Sequence, residues 1–444
     1  MVAPQEVHHV LGRNILTDGL DLVLDLERSH GTWLVDARDG TEYLDMFGFF
    51  ASSTLGMNHP ALLDDIDFRA RLLAAAINKP TNSDIYTTAY AEFVDTFARV
   101  LGDPRLPHLF FIDGGANAVE NALKAAFDWK SRHNEQRHRQ PGRALSIMHL
   151  TDAFHGRTGY TLSLTNTDPI KTARFPGFDW PRVRSPYPGT DRDGHARNTS
   201  ELVEHSLEQA RAVFREQPHA VAAFIAEPIQ GEGGDHHLPA RFLQQMQQLC
   251  HAHDALLILD EVQTGAGATG TAWAYQQLGL EPDIVAFGKK TQVCGIMAGG
   301  RIEEVSDNVF TVPSRINSTF GGNLVDMVRY QKILEVVESE DLIRAARAKG
   351  EWLLGNLEEL ARQCPDVTDP RGRGLICAVT LPGTRIREAT IAALREKHHV
   401  LMIGCGERSV RLRPPLTASI EELHRAVAAL GTAVEDQLRS TSTG

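Results

Sequence analysis

The chain has 444 residues, which is more than one hydrophobic core usually holds and predicts two or three domains. Hydrophobic residues make up 42% of the chain and charged residues 23%, proportions typical of a soluble globular protein. The net charge of -12 argues against a nucleic acid or an anionic membrane as a partner.

The cysteines and the first residues of the chain bear on the expected cellular compartment. Five cysteines are scattered without paired spacing, which predicts neither a disulfide framework nor a zinc site and suits a reducing compartment. The first ten residues lack a basic start followed by an apolar segment, and no stretch is apolar for long enough to span a bilayer. We therefore expect a cytoplasmic protein without a bound metal or a membrane partner. Most of the nineteen histidines are interpreted as surface residues.

The N-terminal region combines turn, strand and helix patterns. Residues 31–46 predict a β-hairpin around the turn Arg38-Asp39-Gly40. An aromatic segment follows at 46–53. Residues 84–101 carry apolar side chains at helical spacing, which predicts a helix.

Two predicted strands end beside possible ligand contacts. The strand at 109–112 runs into Gly114-Gly115 and then into strong helix formers. Free N–H groups at such a helix start can bind an anion, although a glycine pair before a helix is weak evidence alone. The strand at 144–150 ends near Phe154, and an aromatic residue at a strand exit can stack on a flat ligand.

The middle of the chain alternates loops with regular elements. Polar stretches at 132–143 and 181–199 predict loops, and residues 201–217 predict an amphipathic helix. Residues 221–226 predict a buried strand that runs into a glycine-rich turn at 231–234.

A short apolar run at 255–259 ends abruptly in Asp260 and Glu261. Such a run predicts a buried strand of a parallel sheet, and ligands bind at the carboxyl edge of such sheets. Because side chains alternate along a strand, Asp260 and Val262 are expected on one face and Glu261 on the other. That face suits an aromatic ligand with a ring nitrogen. The alternative is an aspartate that caps the next turn.

A second short strand, at 282–287, ends in Gly288, Lys289 and Lys290. A lysine pair is usually part of a solvated loop, but lysine is rarely buried unless it is paired. A lysine at the mouth of a parallel sheet, near an aspartate on a neighbouring strand, suits a Schiff base to an aldehyde cofactor. Pyridoxal phosphate needs such a lysine and an acid for its ring nitrogen.

The C-terminal region begins with a predicted long helix from about residue 325. Strands are predicted at 372–379 and 410–416. Arg411 and Arg413 are expected on one face of the second strand because side chains alternate.

Taken together, these stretches resemble the class III aminotransferases, which are pyridoxal-phosphate enzymes of fold type I. The resemblance covers nearly the whole chain. It rests on residues 260–265 followed by Gly288-Lys289, and on four further stretches, 121–130, 154–160, 288–295 and 317–323.

The resemblance implies an α/β fold of two domains. A large domain would hold a mostly parallel seven-stranded sheet flanked by helices, and both termini would build a small α+β domain. The expected boundaries are 1–65 for the first part of the small domain, 66–325 for the large domain and 326–444 for the remainder.

The resemblance also implies which residues hold the cofactor. Lys289 would form the Schiff base and later move a proton, and Asp260 would support the ring nitrogen. The other expected cofactor contacts face the ring, its phenolate oxygen or its phosphate: Val262, Phe154, Gln263, Gly115, Ala116, Ser318 and Thr319.

The expected substrate contacts include a pair of opposite charges. Glu232 would pair with Arg411 when an amino donor binds and release it for a dicarboxylate. Glu227 would anchor the site through Gln263. Arg157 would hold a substrate carboxylate, with a surface ion pair as its alternative. The remaining expected contacts are Phe50, in a pocket wall formed by residues 46–53 that could instead be core, and Asn317.

The same four stretches carry a narrower match. Within the class the chain is most similar to enzymes that transfer the ε-amino group of L-lysine to 2-oxoglutarate and release L-glutamate. Ser318 and Thr319 would reach the phosphate of a partner subunit, so the resemblance implies a homodimer with shared sites. The alternatives are transfer from ornithine or 4-aminobutyrate, an aminomutase of the same fold, and a non-catalytic binding protein.

Overall fold

The described part of the chain contains four β-sheets, of seven, four, three and two strands. This computed structural model describes residues 2–140, 142, 144–189 and 197–442. The strands are β1 (Trp33–Val35), β2 (Glu42–Asp45), β3 (His108–Ile112), β4 (Ser146–Leu150), β5 (Arg182–Val183), β6 (Val221–Ala226), β7 (Ile229–Gln230), β8 (His236–His237), β9 (Leu256–Asp260), β10 (Ile284–Phe287), β11 (Cys294–Ala298), β12 (Thr368–Arg373), β13 (Ile376–Thr380), β14 (Val400–Leu401), β15 (Ile403–Cys405) and β16 (Ser409–Leu412).

Helices surround these sheets. They are α1 (Val7–Gly12), α2 (Gly48–Ala51), α3 (Pro60–Leu63), α4 (Ile66–Ile77), α5 (Thr88–Val100), α6 (Gly115–Gln136), α7 (Gly159–Leu164), α8 (Thr199–Glu216), α9 (Gly231–Gly234), α10 (Ala240–Ala252), α11 (Leu324–Ser339), α12 (Leu342–Gln363), α13 (Thr384–His398) and α14 (Ile420–Ser442). Among the described residues, no helix has both the length and the apolar character needed to cross a membrane.

The seven-stranded sheet has the order β3-β11-β10-β9-β6-β4-β5. Strands β10, β9, β6, β4 and β5 pair in parallel, and β11 is antiparallel to both of its neighbours. Successive residues of β9 enter separate apolar clusters on the two faces of the sheet, with Leu257 and Leu259 on one face and Ile258 on the other. Helix α10 covers the first face and α6 the second. The mostly parallel, helix-flanked sheet is confirmed.

The parallel strands bring four predicted elements of the site to one edge. Strand β9 ends at Asp260, and β10 ends just before Gly288-Lys289. Strand β4 ends four residues before Phe154, and β6 ends immediately before Glu227. Because parallel strands share their carboxyl edge, these residues converge even though up to 135 positions, from Phe154 to Lys289, separate them in sequence.

Residues from both ends of the chain build the three-stranded sheet, as expected. β1 and β2 form the predicted hairpin, and the C-terminal strand β14 pairs in parallel with β2. The four-stranded sheet has the order β12-β13-β16-β15. Helix α11 packs against α4 and α5 and leads into α12. The domain boundaries at residues 65 and 325 remain a proposal.

Three local predictions need correction or limits. Residues 372–379 form two antiparallel strands, because the chain turns at Gly374, where φ is +53°. Helix α6 continues to Gln136, so the loop expected from residue 132 begins later, since His133 and Asn134 are buried against the fold. Residues 141 and 143 of that loop, and 190–196 of the loop at 181–199, lie outside the described residues.

Candidate active site

Asp260 lies at the end of the central strand β9 and is almost fully buried. One carboxylate oxygen accepts a hydrogen bond from Nδ1 of buried His155 at 2.8 Å, and the other accepts from the backbone N–H of Val262 at 3.1 Å. Glu261 points away from this site and accepts from Thr264 and from the backbone of residues 274–275. The alternation expected along the strand is therefore present.

Val262 and the start of α6 lie side by side. A Cβ added to Gly115 would lie 3.0 Å from Cγ1 of Val262, so glycine permits this close approach. No side chain caps α6, and its first-turn N–H groups are available to an anion. Gly156, with φ of +122°, lies so close to Ala116 that a Cβ would come within 2.5 Å of the alanine Cβ. The Phe154–Arg157 segment is thereby held against this helix terminus.

Lys289 follows β10 in the left-handed backbone region, with φ of +55°. No hydrogen bond joins its Nζ to any residue that the structure describes, so the amine is available for chemistry. Burial and then the nearby Arg411 guanidinium lower the pKa of Lys289 to about 8, against the opposing effect of Asp260, Glu227 and Glu232. The ε-amine is therefore partly neutral near neutral pH and is surrounded by the predicted acids.

Lys290 points in a different direction. Its Nζ donates to the carbonyl of Ser53 at 2.6 Å, and its own carbonyl accepts from the Thr54 hydroxyl at 2.9 Å. Burial lowers the pKa of Lys290 to about 7 and raises the pKa of Asp45, which caps Phe47–Ala51, to about 6. Lys290 therefore anchors the 47–53 segment beside the site, whereas the side chain of Lys289 faces the acids of the site.

Glu227 is a buried carboxylate that joins two parts of the site. Its two oxygens accept from the backbone N–H of Phe154 at 2.9 Å and of Gly231 at 3.2 Å. Burial raises the pKa of Glu227 to about 7. The expected contact with Gln263 is not made. Gln263 instead accepts from Arg413 at 3.3 Å, and buried Arg413 is paired with Asp235.

Glu232 and Arg411 form the expected pair, which we call the gate. Their charged atoms are 3.5 Å apart, and Arg411 also donates to the carbonyl of Gly231 at 3.1 Å. Glu232 has a second partner, Lys171, at 2.6 Å. Burial raises the pKa of Glu232, but the Lys171 ammonium and the Arg411 guanidinium outweigh this effect and hold the pKa below its ordinary value.

The structure places other predicted residues at the rim or on the surface. Arg157 is exposed and forms no ion pair with any residue in the described ranges, so the alternative of a surface ion pair is not observed. Phe50 is 52% exposed, with φ of +58°, whereas Phe47 beneath it belongs to the core. Three consecutive residues at 49–51 adopt positive φ, a conformation that non-glycine residues rarely adopt outside functional segments.

Asn317 and Thr319 are exposed, and Ser318 is half-buried. The carbonyl of Ser318 accepts from Ser83, and its hydroxyl accepts from the backbone of Gly321. Among the described residues, this loop makes no hydrogen bond to Lys289 or Asp260 of its own chain. The three residues remain predicted contacts to a partner's site.

Sequence reasoning missed three residues of the site. His155 was given no role of its own, but it is buried and supports Asp260; its position in the segment Phe154–Arg157 was the available signal. Arg413 was expected on the same face as Arg411, but its role was not predicted. Arg413 donates to Gln263 and is itself paired with Asp235. Lys171 lies in a loop whose sequence gave no signal.

This arrangement defines a class of enzyme. A free, buried lysine and a carboxylate supported by histidine converge at the carboxyl edge of a mostly parallel sheet, beside an uncapped helix terminus. That is the arrangement of fold type I enzymes that depend on pyridoxal phosphate. The family model described as Aminotransferase class-III matches residues 17–434, and the chain belongs to the class III aminotransferases.

Comparison with known proteins shows which members of this class the chain resembles more strongly. The chain is 60% identical over 434 residues to L-lysine-epsilon aminotransferase of Mycobacterium tuberculosis, covering 97% of this chain and 96% of that protein. The solved structure of lysine aminotransferase from M. tuberculosis in the internal aldimine form matches with a TM-score of 0.95 and 59% identity, covering 98% of this chain and 100% of that one. Human mitochondrial 4-aminobutyrate aminotransferase is 30% identical over 420 residues, which cover 90% of this chain and 82% of that protein.

The residues present fit pyridoxal phosphate. The unpaired N–H groups of the α6 terminus suit its phosphate, Asp260 its ring nitrogen and Lys289 its aldehyde. Val262 and Phe154 suit the two faces of its ring. Within the described ranges, no group of three or more histidine, cysteine, aspartate or glutamate side chains is arranged to hold a metal ion.

Proposed function

We propose that this enzyme transfers the ε-amino group of L-lysine to 2-oxoglutarate and forms 2-aminoadipate 6-semialdehyde and L-glutamate. The aldehyde would then cyclise with its own α-amine. The observation that carries the proposal is the gate beside the available Lys289 amine. The 60% identity to a lysine enzyme, against 30% to a 4-aminobutyrate enzyme, favours lysine as the donor.

The gate answers a problem that the two substrates pose for one pocket. The donor presents an aliphatic chain with an amine near the cofactor, whereas 2-oxoglutarate brings a second carboxylate. With Glu232 near Arg411, the donor chain meets a paired guanidinium. When Glu232 turns away, Arg411 offers a carboxylate two parallel donors. Burying the Arg411 guanidinium without any partner would cost free energy, so pairing with Glu232 also stabilises the site when no substrate is bound.

Individual residues have separate tasks in this proposal. When bound, pyridoxal phosphate carries the amino group between the substrates and withdraws electrons from the substrate carbon. Lys289 would hold the cofactor aldehyde and would move a proton at the substrate carbon that bears the amine. Asp260, oriented by His155, keeps the ring nitrogen protonated. Arg157, at the rim, holds the α-carboxylate of lysine, and Gln263 faces the phenolate oxygen.

We also propose a homodimer with shared sites. Large apolar side chains between residues 66 and 86 are 61–77% exposed, and Ser83 in this region contacts the loop bearing Ser318 and Thr319. They lie on α4 and in the segment that follows Asn82 and Ser83, both of which bond to that loop. Covering this patch with a second copy would remove apolar surface from water and bring Thr319 to the partner's phosphate site. The patch consists of Ile66, Leu73, Ile77, Ile85 and Tyr86.

The five cysteines are all free and buried, which fits the cytoplasm as the proposed location.

The activity is tested by measuring kcat/KM for L-lysine, L-ornithine and 4-aminobutyrate with 2-oxoglutarate. The Lys289→Ala variant serves as the inactive control. The proposal predicts lysine as the best donor. A higher kcat/KM for ornithine or 4-aminobutyrate would make this another ω-aminotransferase. Turnover of lysine without a keto acid would indicate an aminomutase, and no turnover of any donor a binding protein.

A further inference from the structure

We propose that Lys171 is a positioning residue that holds Glu232 while the gate is open, and thereby sets the preference for the dicarboxylate substrate. This inference rests on the proposed gate. It adds a third charged residue to a switch that otherwise consists of Glu232 and Arg411.

The position of Lys171 is well defined by its neighbours. It closes the short helical turn Pro169–Lys171, which Asp168 caps through the backbone N–H of Ile170 at 2.9 Å. Its side chain is only 14% exposed. Besides Glu232, its Nζ contacts the hydroxyl of Thr167 at 3.3 Å and lies 5.5 Å from the ring centre of Phe154.

Glu232 divides its two oxygens between two cations. Oε1 accepts from Lys171 at 2.6 Å, and Oε2 is 3.5 Å from Arg411. The lysine contact is therefore the shorter one even with the gate closed. Nε of Arg411 is buried without a partner in the part of the chain that the structure describes. The arginine is thus incompletely paired, whereas the glutamate is already attached to its second partner.

The charge balance explains what Lys171 contributes. Glu232, Arg411 and Lys171 together carry a net charge of about +1, and the distal carboxylate of a keto acid brings the sum to zero. Without Lys171, release of Arg411 would leave the half-buried Glu232 carboxylate without a cation. Lys171 prevents that loss, so opening of the gate requires less free energy.

A cavity provides room for the movement. It has a volume of about 730 Å³ and is lined by Lys171, Glu232, Gly233 and Asp168, together with residues of the C-terminal sheet. Glu232 lies at its wall and can turn toward Lys171 without displacing the core. Glu232 therefore has both a partner, Lys171, and free space beside it for the open gate.

The test compares the two half-reactions in the Lys171→Met variant, which removes the charge and keeps the length. Stopped-flow absorbance follows the cofactor first with lysine and then with 2-oxoglutarate. We expect kcat/KM for 2-oxoglutarate to fall about tenfold, while the lysine half-reaction changes less than about twofold. Lys171→Arg retains the cation and should restore the keto-acid half-reaction to within about threefold. Thermal unfolding of both variants checks that the fold is intact.

Two further variants separate the possible outcomes. Lys397→Met removes the charge of an exposed lysine on α13 and should leave both half-reactions unchanged. Arg411→Met tests the gate itself and should slow only the keto-acid half-reaction.

If Arg411→Met has that effect and Lys171→Met has none, the role of Lys171 is refuted and the gate stands. If Arg411→Met spares the keto acid, the proposed gate fails, and this inference fails with it. Equal slowing of both half-reactions by Lys171→Met, or no rescue by Lys171→Arg, reduces Lys171 to structural support. If Lys171→Met does not fold, the Lys171→Gln variant replaces it under the same criteria.

Discussion

The Glu232→Gln variant tests the gate most simply, because glutamine keeps the shape of the side chain and removes its charge. Arg411 remains buried and loses the carboxylate 3.5 Å away. Its guanidinium then faces the pocket in both half-reactions. The aliphatic chain of lysine would pack against an unpaired cation, whereas the keto acid would find its partner already free.

The magnitude follows from the geometry. Two unit charges 3.5 Å apart attract each other by roughly 5 kcal/mol at an effective dielectric constant of about 20. Glu232 is 32% exposed and shares its charge with Lys171, so solvent screening and competition reduce the net effect. A remainder of about 1–2 kcal/mol corresponds to a five- to thirtyfold slower half-reaction with lysine. The half-reaction with 2-oxoglutarate should be unchanged or faster.

Single-turnover absorbance measurements on each half-reaction give the comparison. Glu388→Gln is a matched control, because it removes an acid that lines the same cavity and pairs with Arg387. Equal slowing of both half-reactions in Glu232→Gln would refute the gate and leave Glu232 as structural support. An unchanged lysine half-reaction would show that the donor does not sense the Arg411 charge.

The remaining predictions concern the cofactor site. Borohydride reduction followed by peptide mapping should label Lys289; a label on Lys290 would exchange their roles. Because Lys289 has a pKa of about 8 and only the neutral amine adds to an aldehyde, recombination of apoenzyme with cofactor should accelerate about tenfold per pH unit below 8 and level off above it. A pH-independent rate contradicts this. Glu227→Gln presents an amide donor to one of two backbone N–H groups, so chemical denaturation should show a loss of about 1–3 kcal/mol. Thr319→Ala should release cofactor faster during dialysis while Lys289 still reacts with it, and a fully active monomer in sedimentation would exclude a shared site.

The sequence predicted those parts of the molecule that depend on local pattern. The run before Asp260 is uniformly apolar and short, which is characteristic of a buried parallel strand, and the structure places it at the centre of the sheet. Glycines at 114 and 115 followed by helix formers indicated the helix terminus in the same way. The motif resemblance added the Glu232–Arg411 pair, which no local pattern contains.

The parts that sequence reasoning missed depend on contacts between distant segments. His155 and Asp260 are 105 positions apart, and only the shared carboxyl edge of β4 and β9, which lie on either side of β6, brings them together. Lys171 is an ordinary loop lysine until the fold places Glu232 beside it. Gly374 was included in a predicted strand that continues into the apolar residues 375–379, and the tight turn there requires its positive φ.

The proposal that lysine donates its ε-amino group is tested most directly with nitrogen-labelled donors. L-lysine carrying ¹⁵N at the ε position, incubated with enzyme and 2-oxoglutarate, should yield glutamate labelled in its amine. L-lysine labelled only at the α position should yield unlabelled glutamate and a cyclic product that retains the ¹⁵N. Label passing from the α position to glutamate, or no transfer from either position, would contradict the account.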